Sequence, residues 1–222
     1  MTDMTTAAAQ RSIYKEGCLA AHALDLLGDR WALLVIRELM LGSKRFQLLR
    51  AGMPGLSASV LTQRLASLEA AGLVRRRTLP EPAAVQVYDL TEPGRATWPV
   101  IEALCRWGAA QPGHDPARFI SPTALMLSMR AMIDRRAARE LRVRAGFDFG
   151  RESFRGELVK GRWEVERGAA EGDLVFAGTG NALASVIYGP RRFADWQGTG
   201  PVRVAGDAAL GQRFVDLFDL GR

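Results

Sequence analysis

Ser57, Ser59, Thr62 and Gln63 carry three hydroxyls and an amide within seven residues of the segment SASVLTQRLASLEAAGLVRR, Ser57 to Arg76. On a helix turning about 100° per residue, Leu61, Leu65 and Leu68 form one apolar stripe, flanked by Ser57 and Arg64. Ser59, Gln63 and Ala66 take the opposite face, with Thr62 beside them. That face lacks the Lys/Glu mixture of an ordinary solvated helix. Hydroxyls, amides and methyls are the groups that read base edges in a major groove: Gln on adenine, Ser and Thr on several bases, an apolar group on the thymine methyl. A partnerless Ser/Ala-rich surface helix has the same composition, so the helix alone leaves both readings open.

Charge distribution adds to the first reading. The whole chain carries +6, yet Arg30 to Arg77 alone holds nine basic residues against two acidic ones, Glu38 and Glu69. The excess sits on the segment that contains the hydroxyl-rich helix, as a polyanion partner requires. Lys44, Arg45, Arg64, Arg75, Arg76 and Arg77 are its candidate nucleic-acid contacts.

The elements that position these side chains follow from the neighbouring sequence. Ser57 is an N-cap candidate and Gly72 a helix stop. Upstream, Arg30 to Leu41 reads as a buried helix apolar around most of its circumference, with Asp29 as its cap and Gly42 as its end. A short helix at Arg45 to Arg50 and a turn through Gly52, Pro54 and Gly55 complete a helix-turn-helix spacing. Downstream, LVRRRT and VQVYDLT read as two strands joined by the turn-rich LPEPAA, a wing beside the recognition helix. Arg75, Arg76 and Arg77 on its first strand then sit near phosphates. Thr91 caps a further helix, Pro93 to Ala110, whose start Pro99 should kink or delay.

The length of 222 residues suits one large domain or two modest ones, and 48% apolar residues suffice for a packed core. The apolar runs are too short to span a bilayer, and MTDMTTAAAQRSIYKEG has no secretory stretch. Residues 1–16 read as a disordered arm. Cys18 and Cys105 belong to no CxxC pair and make no disulfide framework, which predicts a cytoplasmic protein with free thiols and no membrane partner. Catalysis finds no support, and no cofactor is expected. There is no HExxH, Walker or dinucleotide glycine motif, and His22 and His114 lack partners at ligand spacing.

An ordered set of motifs in the first half resembles the HxlR-type winged helix-turn-helix regulators of bacteria. It comprises Cys18, ALDLLGDRWALLVIREL from Ala23, Arg45–Phe46, LTQRLASLEAAGLVRR from Leu61, VYDLTEPG from Val87 and Trp107–Gly108. The resemblance covers about Gly17 to Gly108 and implies a homodimer that binds double-stranded DNA. In the family the Pro93–Ala110 helix and the N-terminal one build the dimer, which gives Trp98, Ile101, Leu104, Cys105 and Trp107 a role. Trp98 and Trp107 as monomer core is the alternative. A two-fold dimer would set its recognition helices about 34 Å apart on an inverted-repeat operator. The family's paired prolines before the second wing strand are here Pro80 and Pro82, split by Glu81. In some members a cysteine at the place of Cys18 senses oxidants or electrophiles, so the match implies a thiol switch. A small residue buried at a helix start is the other reading.

PGHDPARFIS, residues 112–121, reads as a linker between a 17–111 DNA-binding and dimerisation domain and a 122–222 domain. The latter begins with a helix from Pro122 whose basic end holds Arg135, Arg136 and Arg139. LRVRAGFDF, SFRGELVK, RWEVERG and DLVFAG read as strands, TGNALASVIYG and PRRFADW as helices, PVRVAG as a strand and DAALGQRFVDLFDL as a closing helix. The fold class is α+β, a winged helix-turn-helix followed by an antiparallel sheet packed by helices. DLVFAGTGNALASVIYG and GPVRVAGDAALGQRFVDLF resemble the sterol carrier protein type 2-like domain over about Leu141 to Leu220. That resemblance implies an apolar cavity for a small hydrophobic ligand. Phe147, Phe149, Phe154, Trp163, Phe176, Ile187, Tyr188, Phe193 and Trp196 are candidate walls, or else core. Arg191 and Arg192 either meet a ligand carboxylate or are a solvated pair. The expected function is a ligand-modulated transcriptional regulator. A hydrophobic-ligand carrier with a dimerising winged helix, or an enzyme using the cavity, are its rivals.

Overall fold

The computed structural model describes residues 14–80, 84–198, 200 and 202–220. Residues 1–13 of the expected arm, and the wing-tip residues Glu81 and Pro82, lie outside them. The first half runs α1 (Leu19–Leu27), α2 (Ala32–Leu39), α3 (Phe46–Ala51), α4 (Ala58–Ala70), β1 (Val74–Leu79), β2 (Val85–Leu90), α5 (Glu92–Arg95) and α6 (Trp98–Ala109). α2 is shorter than the Arg30–Leu41 expectation. Trp31 stands at its N-cap, and Asp29 instead pairs with Arg64. The expected Pro93–Ala110 helix is two. Thr91 caps α5 by accepting from the Gly94 amide at 3.2 Å, the chain breaks at Ala96–Thr97, and Pro99 falls in the first turn of α6, where its missing N–H is tolerated.

α4 is closed at both ends. Ser57 Oγ accepts from the Val60 amide, and the Leu73 and Gly72 amides donate back to Leu68 and Glu69. Those two bonds form a Schellman motif, and Gly72 at φ +69° supplies the left-handed residue it needs. β1 and β2 pair antiparallel from Val74↔Leu90 to Leu79↔Val85, and Lys44 adds a bridge to Tyr88 on β2. Leu61, Leu65 and Leu68 of α4 join Val35, Ile36 and Leu39 of α2, with Leu49 and Leu90, in one apolar cluster.

The second half begins with α7 (Pro122–Met132), then β3 (Val143–Asp148), β4 (Ser153–Val159), β5 (Arg162–Arg167), β6 (Leu174–Ala177), α8 (Gly180–Tyr188), β7 (Arg203–Gly206) and α9 (Ala208–Val215). Short 3₁₀ turns at Ala137–Glu140 and Phe193–Trp196 replace the expected basic helix end and the PRRFADW helix. The sheet order is β5-β4-β3-β6-β7. It is mixed rather than antiparallel, because β3 and β6 run parallel. Between β5 and β6 the chain crosses the outer face of the sheet. A Cβ at Gly146 of β3 would stand 2.2 Å from the Glu171 amide nitrogen, so that crossing needs glycine beneath it.

The inner face of this sheet is packed by α7, α8 and α9 into a second apolar cluster. α7 also touches α2 and α6. The segment 112–121 is pinned rather than loose. Asn181 of α8 donates to the Ala117 and Arg118 carbonyls and accepts from the Ile120 amide.

Candidate nucleic-acid interface

The outer face of α4 is open. Ser57, Ser59, Thr62, Gln63 and Ala66 are exposed, while Leu61, Leu65 and Leu68 are at most 1% exposed. Ser57 and Ser59 hydroxyls stand 3.0 Å apart, and Thr62 donates to the Ala58 carbonyl. Arg64 is half-buried at the flank, reaching Gln63 Oε1 at 3.5 Å and pairing with Asp29. It thereby ties α4 to the loop before α2. Arg45 is exposed at the start of α3, with no ion pair among the described residues.

The three wing arginines divide by strand alternation. Arg75 and Arg77 donate to Asp89 Oδ2 at 3.3 and 3.0 Å, and Arg95 donates to its other oxygen at 2.7 Å. Burial alone would push the Asp89 carboxyl up; bonds from Arg77 and Arg75 and the charge of Arg95 outweigh it and hold the group below its ordinary value. Three guanidiniums on one carboxylate leave a surplus of positive charge. Arg76, on the other side of the strand, pairs with Glu69 at 3.2 Å and lies over the Tyr88 ring.

Lys44 departs from its expected place at DNA. It is 1% exposed. Its Nζ lies 2.9 Å from Glu38 Oε2, 2.9 Å from Thr123 Oγ1 and 3.0 Å from Glu152 Oε1, so its charge is spent on the junction of the two halves. Arg37 donates to Glu38 Oε1 through Nε and Nη2, Ser121 donates to the same oxygen at 2.6 Å, and Arg167 pairs with Glu152. Reading the sequence alone missed Glu38 and Glu152. The signal was present in ALLVIREL: a carboxylate on a helix otherwise destined for the core demands a cation.

The expected apolar walls are mostly core. Phe147, Phe154, Phe176 and Phe193 are fully buried, and Trp163 and Ile187 are 2% exposed. Phe147 stacks on Phe176 at 4.8 Å, and Trp163 meets Phe214 edge-on at 5.2 Å. These inward strand positions are filled by the helices packed on them. Half-buried Phe149 packs on Phe154 at the rim. Tyr188 and Trp196 instead line a cavity of about 1110 Å³ between the halves, together with Trp31, Arg37, Cys105 and the 113–121 segment. Tyr188 Oη lies 2.7 Å from Ser128 Oγ, and burial pushes its phenol well above the ordinary range. Arg191 stacks on Trp196 at 4.3 Å, and Arg192 pairs with Asp195.

Cys18 is exposed at the start of α1, not buried as one reading had it. The backbone amides of Ala21 and Ala20 hold its thiol below the usual value. Burial pushes the Cys105 thiol up. Among the described residues no group of His, Cys, Asp and Glu is placed to hold a metal, and no helix is long and apolar enough to cross a membrane.

A helix-turn-helix with an exposed hydroxyl and amide face, followed by an arginine-bearing wing, defines a DNA-binding class of protein. The HxlR-like helix-turn-helix profile matches residues 26–115. The HTH-type transcriptional regulator YvaP of Bacillus subtilis (strain 168) is 39% identical over 85 residues, 38% of this chain and 79% of YvaP. YodB of the same organism is 40% identical over 85 residues, 38% of this chain and 76% of YodB. The solved reduced form of B. subtilis YodB is 36% identical, covering 45% of this chain and 100% of its own, with a TM-score of 0.40. Through its N-terminal half the chain belongs to the HxlR-like helix-turn-helix family of transcriptional regulators.

Proposed function

We propose that this protein binds an inverted-repeat operator as a homodimer through the outer face of α4, and that its C-terminal half adjusts that binding in response to a small apolar effector. The carrying observation is the exposed stripe Ser57, Ser59, Thr62, Gln63 and Ala66 opposite the buried leucines. Arg45 and the surplus charge around Asp89 supply phosphate contacts beside it. Two separate apolar clusters support a division into a 17–111 DNA-binding and dimerisation domain and a 122–222 domain, with 112–121 between them. The succession β6–α8 and β7–α9 supports a sterol carrier protein type 2-like reading of the second. The effector's place is the cavity between the halves, which borrows only Tyr188 and Trp196 from the aromatic set. A thiol switch at Cys18 is supported by its exposure and lowered titration.

Selection from a random duplex library yields the operator, and fluorescence anisotropy then compares variants. Gln63→Ala loses about 1–3 kcal/mol at one base position and leaves random duplex untouched, whereas Arg45→Ala weakens every sequence and lowers the salt slope by about one. Equal losses for Gln63→Ala on operator and random DNA remove its base-reading role. A chain that selects no sequence at all is the hydrophobic-ligand carrier instead.

A further inference from the structure

The strongest unassigned feature is the charge balance behind the cavity between the halves. Among the described residues Arg37, Lys44 and Arg167 meet only two carboxylates, Glu38 and Glu152, so the cluster carries one positive charge in excess. Lys44 is sealed off at 1% exposure, while Arg37 lines the cavity. Arg37 spends Nε and Nη2 on a single oxygen of Glu38, and its Nη1 donates to nothing among the described residues. The cavity's other charged side chains are engaged by near neighbours, Arg191 by a backbone carbonyl and a ring rather than by a carboxylate. Arg118 pairs with Asp115, and Asp219 and His114 have partners of their own. The remaining wall is largely apolar and aromatic, with Trp31, Leu104, Phe119, Ile120 and Met132 among its residues.

We propose that this cavity binds a small apolar or aromatic monocarboxylic acid, whose carboxylate takes the free Nη1 of Arg37 while its body lies against Trp31, Tyr188 and Trp196. One unfilled guanidinium nitrogen fits one carboxylate oxygen. A phosphate dianion would bring more acceptor oxygens than the one free Nη1 meets and set them against a largely apolar wall. A neutral ligand would fill the space but leave Nη1 unmet. The site is connected to the wing. Glu38, which holds Arg37, also holds Lys44, and the Lys44 backbone is bonded to Tyr88 of β2. A carboxylate that draws Arg37 toward the cavity therefore acts on the residue that anchors the wing to the C-terminal half. Only this last consequence rests on the effector reading above; the site itself does not.

Isothermal titration of the full chain with 4-phenylbutyrate and its uncharged amide tests the proposal. The acid binds at least tenfold more tightly than the amide. Arg37→Gln brings the two to similar affinity, and Arg37→Lys retains part of the preference. Gly108 lines the same cavity, and a Cβ there would meet nothing within 4 Å, so Gly108→Phe puts an aromatic ring at the cavity wall and weakens binding of both probes. Thermal melts of each variant establish that it folds. No binding, equal binding of acid and amide, a preference that survives Arg37→Gln, or binding untouched by Gly108→Phe each overturns the site. Binding that leaves operator affinity unchanged keeps the site and removes the effector reading. Failure to bind leaves the DNA reading of α4 untouched.

Discussion

At the scale of single residues the two thiols make a controlled comparison. The thiolate is the reactive form, so a thiol titrating below its ordinary value stays nucleophilic to lower pH, and one titrating above it does not. Cys18 is exposed and held low by amides at the start of α1, whereas Cys105 is held high by burial beside the cavity. Iodoacetamide at neutral pH is therefore expected to label Cys18 well before Cys105. The Cys18 rate falls only as pH drops through its lowered pKa, and Cys105 becomes reactive only above the ordinary thiol range. Peptide mass spectrometry against pH reads both, and comparable labelling at neutral pH counts against the assignment. The local surroundings of Cys18 were not legible in the sequence, since the relevant donors are main-chain amides rather than a basic cluster.

At the scale of elements, what could be read depended on the reach of the interaction. The two faces of α4, its Ser57 cap and its Gly72 stop are set within one short segment, so periodicity and capping rules located them. Lys44 was misplaced for the opposite reason. Its partners are Glu38, six residues away, and Glu152, 108 residues away on the loop into β4, and no local pattern links them. The aromatic walls failed similarly. Alternation told which strand side chains point inward, but not that α7, α8 and α9 fill the space above them. Removing a buried ion's partner costs about 3–5 kcal/mol, because the charge left behind is neither solvated nor paired. Lys44→Met leaves Glu38 with Arg37 and Glu152 with Arg167, so it should lower the unfolding free energy by less than that, about 1–3 kcal/mol for the hydrogen bonds lost. Adding Glu152→Met, which strips Arg167 of its partner, should lower it further. Denaturant unfolding measures both. Where the variant is folded, the salt slope of DNA binding should match the parent's, since Lys44 meets no phosphate; a slope reduced by about one would return it to the DNA interface.

At the scale of the molecule, the proposed inverted-repeat operator calls for a dimer, and the exposed apolar side chains point to the surface that would form it. Leu19 and Leu24 of α1 are 85% and 52% exposed, and Trp107, Leu104 and Val100 of α6 are 65%, 47% and 44% exposed. Large apolar side chains gathered on two helices mark an association surface. The two tryptophans of α6 separate cleanly. Trp98 is half-buried under Arg130 of α7 at 4.6 Å and belongs to the monomer, while Trp107 faces outward. Trp107→Glu combined with Val100→Glu places two carboxylates on that surface without touching a buried residue or the cavity wall. Sedimentation velocity should show the parent as a dimer and the variant as a monomer with an unchanged thermal melt. A monomer engages one half-site, and losing the tethered second contact should weaken operator binding by about 10²–10⁴-fold, with half-site affinity retained. A variant that stays dimeric would move the interface away from α1 and α6. A monomer that binds the full operator as tightly as the parent would show that the two recognition helices do not act together.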